Sequence, residues 1–330
     1  MARAAITGAS GLLGANLAAE LLAAGHQVVA TRRASTKAQH LEDLAIDWRT
    51  AELGQPDALA TAFTGCDVVF HCAATVSVRQ KEDAELRATN VDGTRNVIEA
   101  VTRAKVPRMV HTSTVAAIGL SRDGEPSDET APWGYPGFGA IDAYAATKHE
   151  AELLVMAACA DARLDAVVVN PGYMFGPRDA RPSSGKLLRD VARRKIPGHT
   201  PGTNTFVDVR DVARGMIAAW HQGKRGERYI LGGHELSYRA VMELTAKLAN
   251  VAPPRLGLPH AAARLVGLWG DLLERLGVDP VVNSVQVRFA YTDRFRFTSA
   301  KAERELGYRI SPIEPAIRDS LDWFRAHGML

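Results

Sequence analysis

The stretch Thr7-Gly8-Ala9-Ser10-Gly11-Leu12-Leu13-Gly14 decides the fold. A short apolar run, Ala2-Arg3-Ala4-Ala5-Ile6, precedes it and reads as a buried strand. Ala15 to Ala24 follows it as a helix, stopped by Gly25. Strand, glycine turn and helix in that order form a dinucleotide cradle. The glycines let a pyrophosphate approach the backbone, and the helix N-terminus offers unpaired amides and the positive end of its dipole. Gly8, Ser10, Gly11, Leu12, Leu13 and Gly14 are therefore candidate cofactor contacts.

Outward from this turn, strands and helices alternate. Strands are predicted at 27–31, at 44–46 running into Asp47 and Trp48, and at 67–71, 108–112 and 166–169. Helices are predicted at 57–64, 90–104 and 144–160. Val/Ile runs between helices mark strands buried on both faces, hence a parallel sheet. The expected fold is α/β, a doubly wound parallel Rossmann sheet with a smaller discontinuous C-terminal substrate domain. Residues 1–170 plus 204–234 form the expected dinucleotide-binding part, and 171–203 plus 235–330 the substrate-binding part. After Pro171, Pro and Gly become frequent up to Gly202. Strands are read at 206–209 and 228–231, around a helix from Asp211 to His221.

Composition narrows the function classes. The 330 residues are 46% hydrophobic and 23% charged, with a formal net charge of +3. That is ordinary globular composition. Arg193-Arg194-Lys195 is the densest cationic cluster and reads as a solvated helix end, so no nucleic acid partner is expected. Cys66, Cys72 and Cys159 fit neither a disulfide framework nor a metal site, so no metal is expected and a reduced, cytoplasmic setting is. No segment is apolar enough for stable membrane insertion. Ala261 to Leu276 is interrupted by Arg264, Asp271, Glu274 and Arg275. It reads as an amphipathic helix packed on the domain, with a helix lying on a membrane surface as the alternative.

In this fold an acid closing the second strand selects NAD through the ribose hydroxyls. Thr31-Arg32-Arg33 stands there instead. Guanidinium groups suit a 2′-phosphate, so the expected cofactor is NADP, with NAD the alternative. Lys37 is a third candidate phosphate contact. Asp47 and Trp48 follow the third strand, where an adenine would lie.

Tyr144 and Lys148 stand four apart, on one helix face. An ammonium beside a phenol lowers its pKa and makes it a proton carrier near neutrality. The fifth strand ends in Thr112-Ser113-Thr114, whose hydroxyls can hold a substrate carbonyl oxygen at the carboxyl edge of the sheet.

Together these features resemble the extended short-chain dehydrogenase/reductase family, of epimerase/dehydratase type, over essentially the whole chain. The resemblance is carried by the glycine turn, His71-Cys72-Ala73-Ala74, Asn90 to Val97, Tyr144 with Lys148, Asn170 to Pro177 and Phe206 to Ala213. Arg228 to Gly233 and Ser299 to Tyr308 are most similar to bacterial dihydroflavonol-4-reductase-like proteins and hopanoid-associated sugar epimerases. Counting back from Gly119 as the family does gives Thr114 as the catalytic hydroxyl, with Ser113 the fallback. Val115 and Ala116 replace the acids of the family's dehydratases, which disfavours dehydration. The plant reductases of the group place an Arg at the equivalent of Arg33 for the NADP phosphate.

The resemblance implies hydride transfer between a nicotinamide and a carbon bearing oxygen, on a small-molecule substrate. Thr114, Tyr144 and Lys148 would be catalytic, with Lys148 and Tyr144 also touching cofactor. His71, Ala73, Ala74, Asn90, Thr112, Pro171 and Tyr173 would line the cofactor cleft. A homodimer through the helices starting at Asn90 and Tyr144 is expected. NADPH-dependent carbonyl reduction is the leading activity, nucleoside-diphosphate-sugar epimerisation the alternative, and a non-catalytic NADP-sensing protein the third reading. Substrate walls are expected from 79–86, 129–141 and 172–201, where Trp133, Tyr135, Phe138 and Tyr173 point to an apolar or aromatic ligand.

Overall fold

A computed structural model describes residues 1–76, 84–121, 124–134, 142–276, 278 and 282–330. The strands are β1 Arg3–Thr7, β2 Gln27–Arg32, β3 Ile46–Thr50, β4 Val68–His71, β5 Arg108–Thr112, β6 Ala166–Pro171, β7 Tyr173–Phe175, β8 Gly198–His199, β9 Thr203–Asp208, β10 Arg228–Leu231, β11 His234–Ser237 and β12 Leu256–Gly257. The helices are α1 Leu12–Ala23, α2 Pro56–Phe63, α3 Ala84–Arg87, α4 Gly93–Arg103, α5 Ala143–Ala160, α6 Lys186–Ala192, α7 Val209–Gln222, α8 Tyr238–Ala249, α9 His260–Arg275, α10 Ser284–Tyr291, α11 Ala300–Leu306 and α12 Ile313–Ala326. A π turn, Ala88–Asp92, joins α3 to α4.

Among the described residues seven strands form one sheet in the order β10-β6-β5-β4-β1-β2-β3, every neighbouring pair parallel. Strand order reverses between β1 and β4, and a doubly wound sheet binds its ligand outside the carboxyl ends at such a point. The period of two sorts side chains onto both faces. Ala4, Ile6, Val68, Phe70, Val167 and Val169 pack beneath α1, α7 and α11, while Ala5, Val69, Ala166 and Val168 pack beneath α2, α4 and α5. Continuous apolar strands are thus the sequence signature of a sheet covered twice.

Two smaller sheets, β11-β9-β7 and β12-β8, lie in the C-terminal part. Phe175 and Phe206 of the first bury against Leu188, Val241, Ile317, Leu321 and Phe324. β9 starts earlier than predicted and pairs antiparallel with β11 and parallel with β7.

The third strand is displaced from its prediction. Leu44 and Ala45 lie in the turn before β3, which starts at Ile46. β3 closes the sheet at one edge, so it mixes partly buried and exposed residues and needs no continuous apolar run.

Candidate active site

The glycine turn builds a cradle from backbone. Gly8 takes φ +75°, and a Cβ there would meet the Ala73 nitrogen at 2.6 Å. At Gly14 a Cβ would meet the Gly8 carbonyl oxygen at 2.4 Å, so glycine lets α1 pack directly on the turn. α1 starts at Leu12, earlier than predicted, with Gly11 extended at its N-cap and no side chain capping it. The first-turn amides are left free for an anion, with no acid nearby in the turn. That donor set fits a dinucleotide pyrophosphate.

A cleft of about 680 Å³ opens over this cradle. Its walls include Thr7, Gly8, Ser10, Gly11 and Leu12 from the turn, and Thr31, Arg32, Arg33 and Thr36 from the end of β2. Ala73 and Ala74 line it beyond β4. Arg32 lies over the Trp48 ring, 5.4 Å from its centroid. The end of β2 itself carries Arg32 and Arg33 rather than an acid, and the nearest cleft-lining carboxylate, Glu52, follows the neighbouring β3.

Several expected contacts stand elsewhere. Asp47 lies at the amino-terminal end of β3, ion-paired to Arg3 at 2.9 Å and Arg49 at 3.0 Å. Because β3 starts late, Ala51, Glu52, Leu53 and Gly54 occupy the carboxyl edge instead and line the cleft. Glu52 takes the place read for Asp47, and Trp48 serves as a platform under Arg32. Lys37 is exposed and off the cleft wall, whereas Thr36 is on it. Leu13 is buried in the core beneath the sheet. Tyr173 packs its ring on Phe175 and Phe206 at 5.5 and 5.2 Å, and Pro171 is buried at the end of β6, so neither lines this cleft.

His71 is a brace rather than a wall. Its Nδ1 lies 2.7 Å from the Thr7 Oγ1, and its Nε2 3.1 Å from the Thr94 Oγ1. The Thr94 hydroxyl donates to the Asn90 carbonyl at 2.7 Å, so it accepts from the imidazole. The proton therefore sits on Nε2, and Nδ1 accepts from Thr7. Burial, with Lys148 adding repulsion, lowers the His71 pKa to about 3 and keeps the ring neutral. Asn90 is similarly engaged. Its amide accepts from the Thr75 amide at 2.8 Å and donates to the Thr75 carbonyl at 3.0 Å and to the Thr147 hydroxyl at 3.1 Å. It ties the loop after β4 to α5.

The reactive side chains lie just beyond the cleft wall. Cys72 lines the cleft, the Thr112 hydroxyl donates to its sulfur at 3.5 Å, and Lys148 Nζ donates to the Thr112 carbonyl at 2.6 Å. The half-buried Tyr144 hydrogen-bonds through its hydroxyl to the Thr114 side chain. The structure thus brings Thr114, Tyr144 and Lys148 together at the end of β5.

Their electrostatics differ from the expectation. Burial, with Asp142 adding repulsion, pushes the Tyr144 phenol up to about 12 against the pull of the Thr114 hydrogen bond. Burial brings Lys148 down to about 8, opposed by Glu152 and Cys72. Lys148 spends its ammonium on a backbone carbonyl, and the phenol stays protonated at neutral pH. Ser113, the fallback hydroxyl, is buried with no hydrogen-bond partner for its Oγ among the described residues.

Glu152 was missed, although it extends the series Tyr144, Lys148 by four more residues. It is buried, accepting from Asn170 Nδ2 at 2.9 Å and from Arg228 Nη1 at 2.9 Å. Asn170 also donates to the Thr114 carbonyl at 3.0 Å, so the network holds the chain at the end of β5. Arg181 was missed as well. It lines the cleft, with Nη2 3.5 Å from the Ser10 Oγ. Only its Pro/Gly-rich surroundings marked the segment.

Trp133 stacks on His149 with centroids 4.0 Å apart. Tyr135, Phe138 and residues 79–83 lie outside the described residues.

The family model for the NAD dependent epimerase/dehydratase family matches residues 4–232. The chain belongs to that family. Its NAD(P)-dependent oxidoreductase and epimerase chemistry accords with the cradle above. A Synechocystis sp. protein named "Putative dihydroflavonol 4-reductase" is 36% identical, over 98% of this chain and 94% of its own. The 4-hydroxy-2-methyl-3-oxo-4-farnesyl-3,4-dihydroquinoline-1-oxide ketoreductase of Stigmatella aurantiaca is 34% identical, over 93% of this chain and 91% of its own. The crystal structure of gox2253 matches all of both chains, at 32% identity and a TM-score of 0.87.

Proposed function

We propose that the protein is an NADPH-dependent reductase of a carbonyl group on a small organic molecule. The observation that carries this reading is the convergence of Thr114, Tyr144 and Lys148 at the carboxyl end of β5, with Lys148 Nζ on the Thr112 carbonyl at 2.6 Å. A phenol held at about 12 is an acid in wait for a developing alkoxide. The Stigmatella aurantiaca ketoreductase, similar over most of its length, supports carbonyl reduction.

A dinucleotide held in this cleft would supply the hydride. Thr114 orients the carbonyl oxygen. As the new C–H bond forms, the C=O π pair moves onto oxygen and takes the Tyr144 proton. Lys148, one turn along the helix with its pKa near 8, is the stronger acid and returns a proton to the phenolate. Arg32 and Arg33 would hold the 2′-phosphate, Glu52 the adenine amino group, and the α1 amides the pyrophosphate. Residues 1–170 plus 204–234 serve the nucleotide and 171–203 plus 235–330 the substrate, with Arg181 of the second part reaching the nucleotide cleft. The same reading includes a homodimer seam on α4 and α5, where Leu153 is exposed.

Titration with NADPH and NADH tests the cofactor, and a carbonyl panel followed by loss of NADPH tests the reaction. NADPH is expected to bind at least about tenfold more tightly, a preference that Arg33→Ala reduces by about tenfold. Equal affinity for the two would overturn the arginine assignment. Epimer formation without NADPH consumption would overturn net reduction.

A further inference from the structure

Helix α9 is built inside out. Its buried residues are Gly267 and Gly270. A Cβ on Gly267 would come within 2.9 Å of the Ser284 Cα, and one on Gly270 within 1.9 Å of the Val282 carbonyl oxygen. The large apolar residues lie on the opposite side. At 100° per residue, Leu268, Leu272, Leu265, Leu276, Trp269 and Val266 follow one another around a continuous arc. Leu265 is 70% exposed, Trp269 61% and Leu276 69%. Leu256 before the helix and Val278 after it are exposed too. A helix covering a soluble core turns such a stripe inward, and a contiguous outward stripe marks an interaction surface.

The charges on α9 are sorted as well. Asp271 accepts the Ser284 amide at 2.9 Å, and Glu274 accepts from Asn283 Nδ2 at 3.5 Å. Both acids thus turn toward α10. Arg264 and Arg275 fall side by side at one border of the apolar arc and are exposed, as is Arg255. None of these three arginines forms an ion pair among the described residues. The outward face is therefore apolar at its centre and cationic at its border, with its carboxylates withdrawn.

We propose that this face docks on an anionic lipid bilayer. α9 lies in the plane of the interface, its leucines and Trp269 at the acyl boundary and its arginines among the headgroups. The withdrawn acids select this occupant. An antiparallel pairing with a second copy would bring two arginine borders together with no carboxylate between them. Among the described residues no helix is long and apolar enough to cross a membrane, so the contact is peripheral.

The docking face connects to the reactive end of the cleft. α9 rests on α10, whose Phe289 meets Phe295 edge-on at 5.1 Å. Phe295 belongs to the apolar cluster containing Val115 and Ala145, the neighbours of Thr114 and Tyr144. A bilayer at α9 would therefore bear on the substrate side of the molecule. This inference stands apart from the proposed reaction and survives its failure.

The test is flotation of the full chain with vesicles of phosphatidylcholine alone and of phosphatidylcholine with phosphatidylglycerol, at low and high salt. The expected result is about tenfold greater partition onto the anionic vesicles at low salt. Leu268→Glu with Leu272→Glu should lower that partition by about tenfold or more. Arg264→Gln with Arg275→Gln should remove the preference for anionic vesicles. All four positions are exposed, so thermal melting is expected to match the wild type and rule out misfolding. Background partition of the folded wild type on both vesicles would overturn the proposal. So would a concentration-dependent dimer, without vesicle binding, that Leu268→Glu dissociates.

Discussion

The two ends of the cleft are made of different material. At the nucleotide end the working parts are backbone: Gly8, Gly11, Gly14 and the uncapped amides of α1, with arginines at the surface. At the reactive end they are buried side chains locked to one another: Lys148 on the Thr112 carbonyl, Asn90 on Thr147, Asn170 between Thr114 and Glu152. A backbone surface tolerates most side-chain changes but not an added Cβ, whereas a side-chain network fails atom by atom. Affinity and turnover are expected to separate along this line.

The sharpest way to break the comparison is Tyr144→Phe. It removes one hydroxyl from the reactive end and is expected to lower turnover by about 10²–10⁴-fold, with NADPH affinity unchanged in a binding titration. A large loss of affinity would show that the two ends are not separable. Gly8→Ala attacks the other end. The positive φ and the approach to Ala73 are expected to cost about 3 kcal/mol in denaturant unfolding and to abolish cofactor binding.

A third experiment probes the seam between the ends, where His71 braces β4. The folded chain keeps this imidazole neutral down to about pH 3, while the unfolded chain protonates it near 6.5. The unfolded state therefore binds more protons in that window, and stability falls as pH falls through it. From pH 7 to pH 5 this single group is expected to remove about 2 kcal/mol, a slope that should flatten in His71→Gln. The smallest effects sharpen the map of the nucleotide end. Glu52→Gln should weaken NADPH binding about fivefold, or about 1 kcal/mol, while Asp47→Asn leaves it unchanged.

The sheet was legible because its strands bury both faces, and Ala4-Ala5-Ile6 and Val167-Val168-Val169 can be read as little else. The edge strand was not. Leu44-Ala45-Ile46 looks like a strand by hydrophobicity, yet β3 is defined by pairing with β2 and its charges are satisfied sideways by Arg3. That offset put Asp47 at the carboxyl edge in the sequence reading, where the fold puts Glu52. The Tyr144 and Lys148 pair was visible from spacing, because the helix puts them on one face. Where the ammonium goes was not, since the Thr112 carbonyl reaches it from another element. His71 and Asn90 were read as cleft contacts from the family resemblance. Their partners, Thr7, Thr94, Thr75 and Thr147, are far apart in sequence and meet only on folding.

The π turn at Ala88–Asp92 gives the segment from Ala84 to Arg103 one residue of slack. Glu85 before it and Ala88 and Thr89 at its start address the cleft; downstream, Val97, Ile98 and Val101 address the core. One residue is about 100° of rotation in a helix, so the turn acts as a vernier that brings two incompatible phases into register. Deleting one position there would restore a regular helix and swing Asn90 away from both Thr75 and Thr147. For this segment length is the coded quantity: substitutions can be absorbed, but an insertion or deletion would put the cleft and the core out of step.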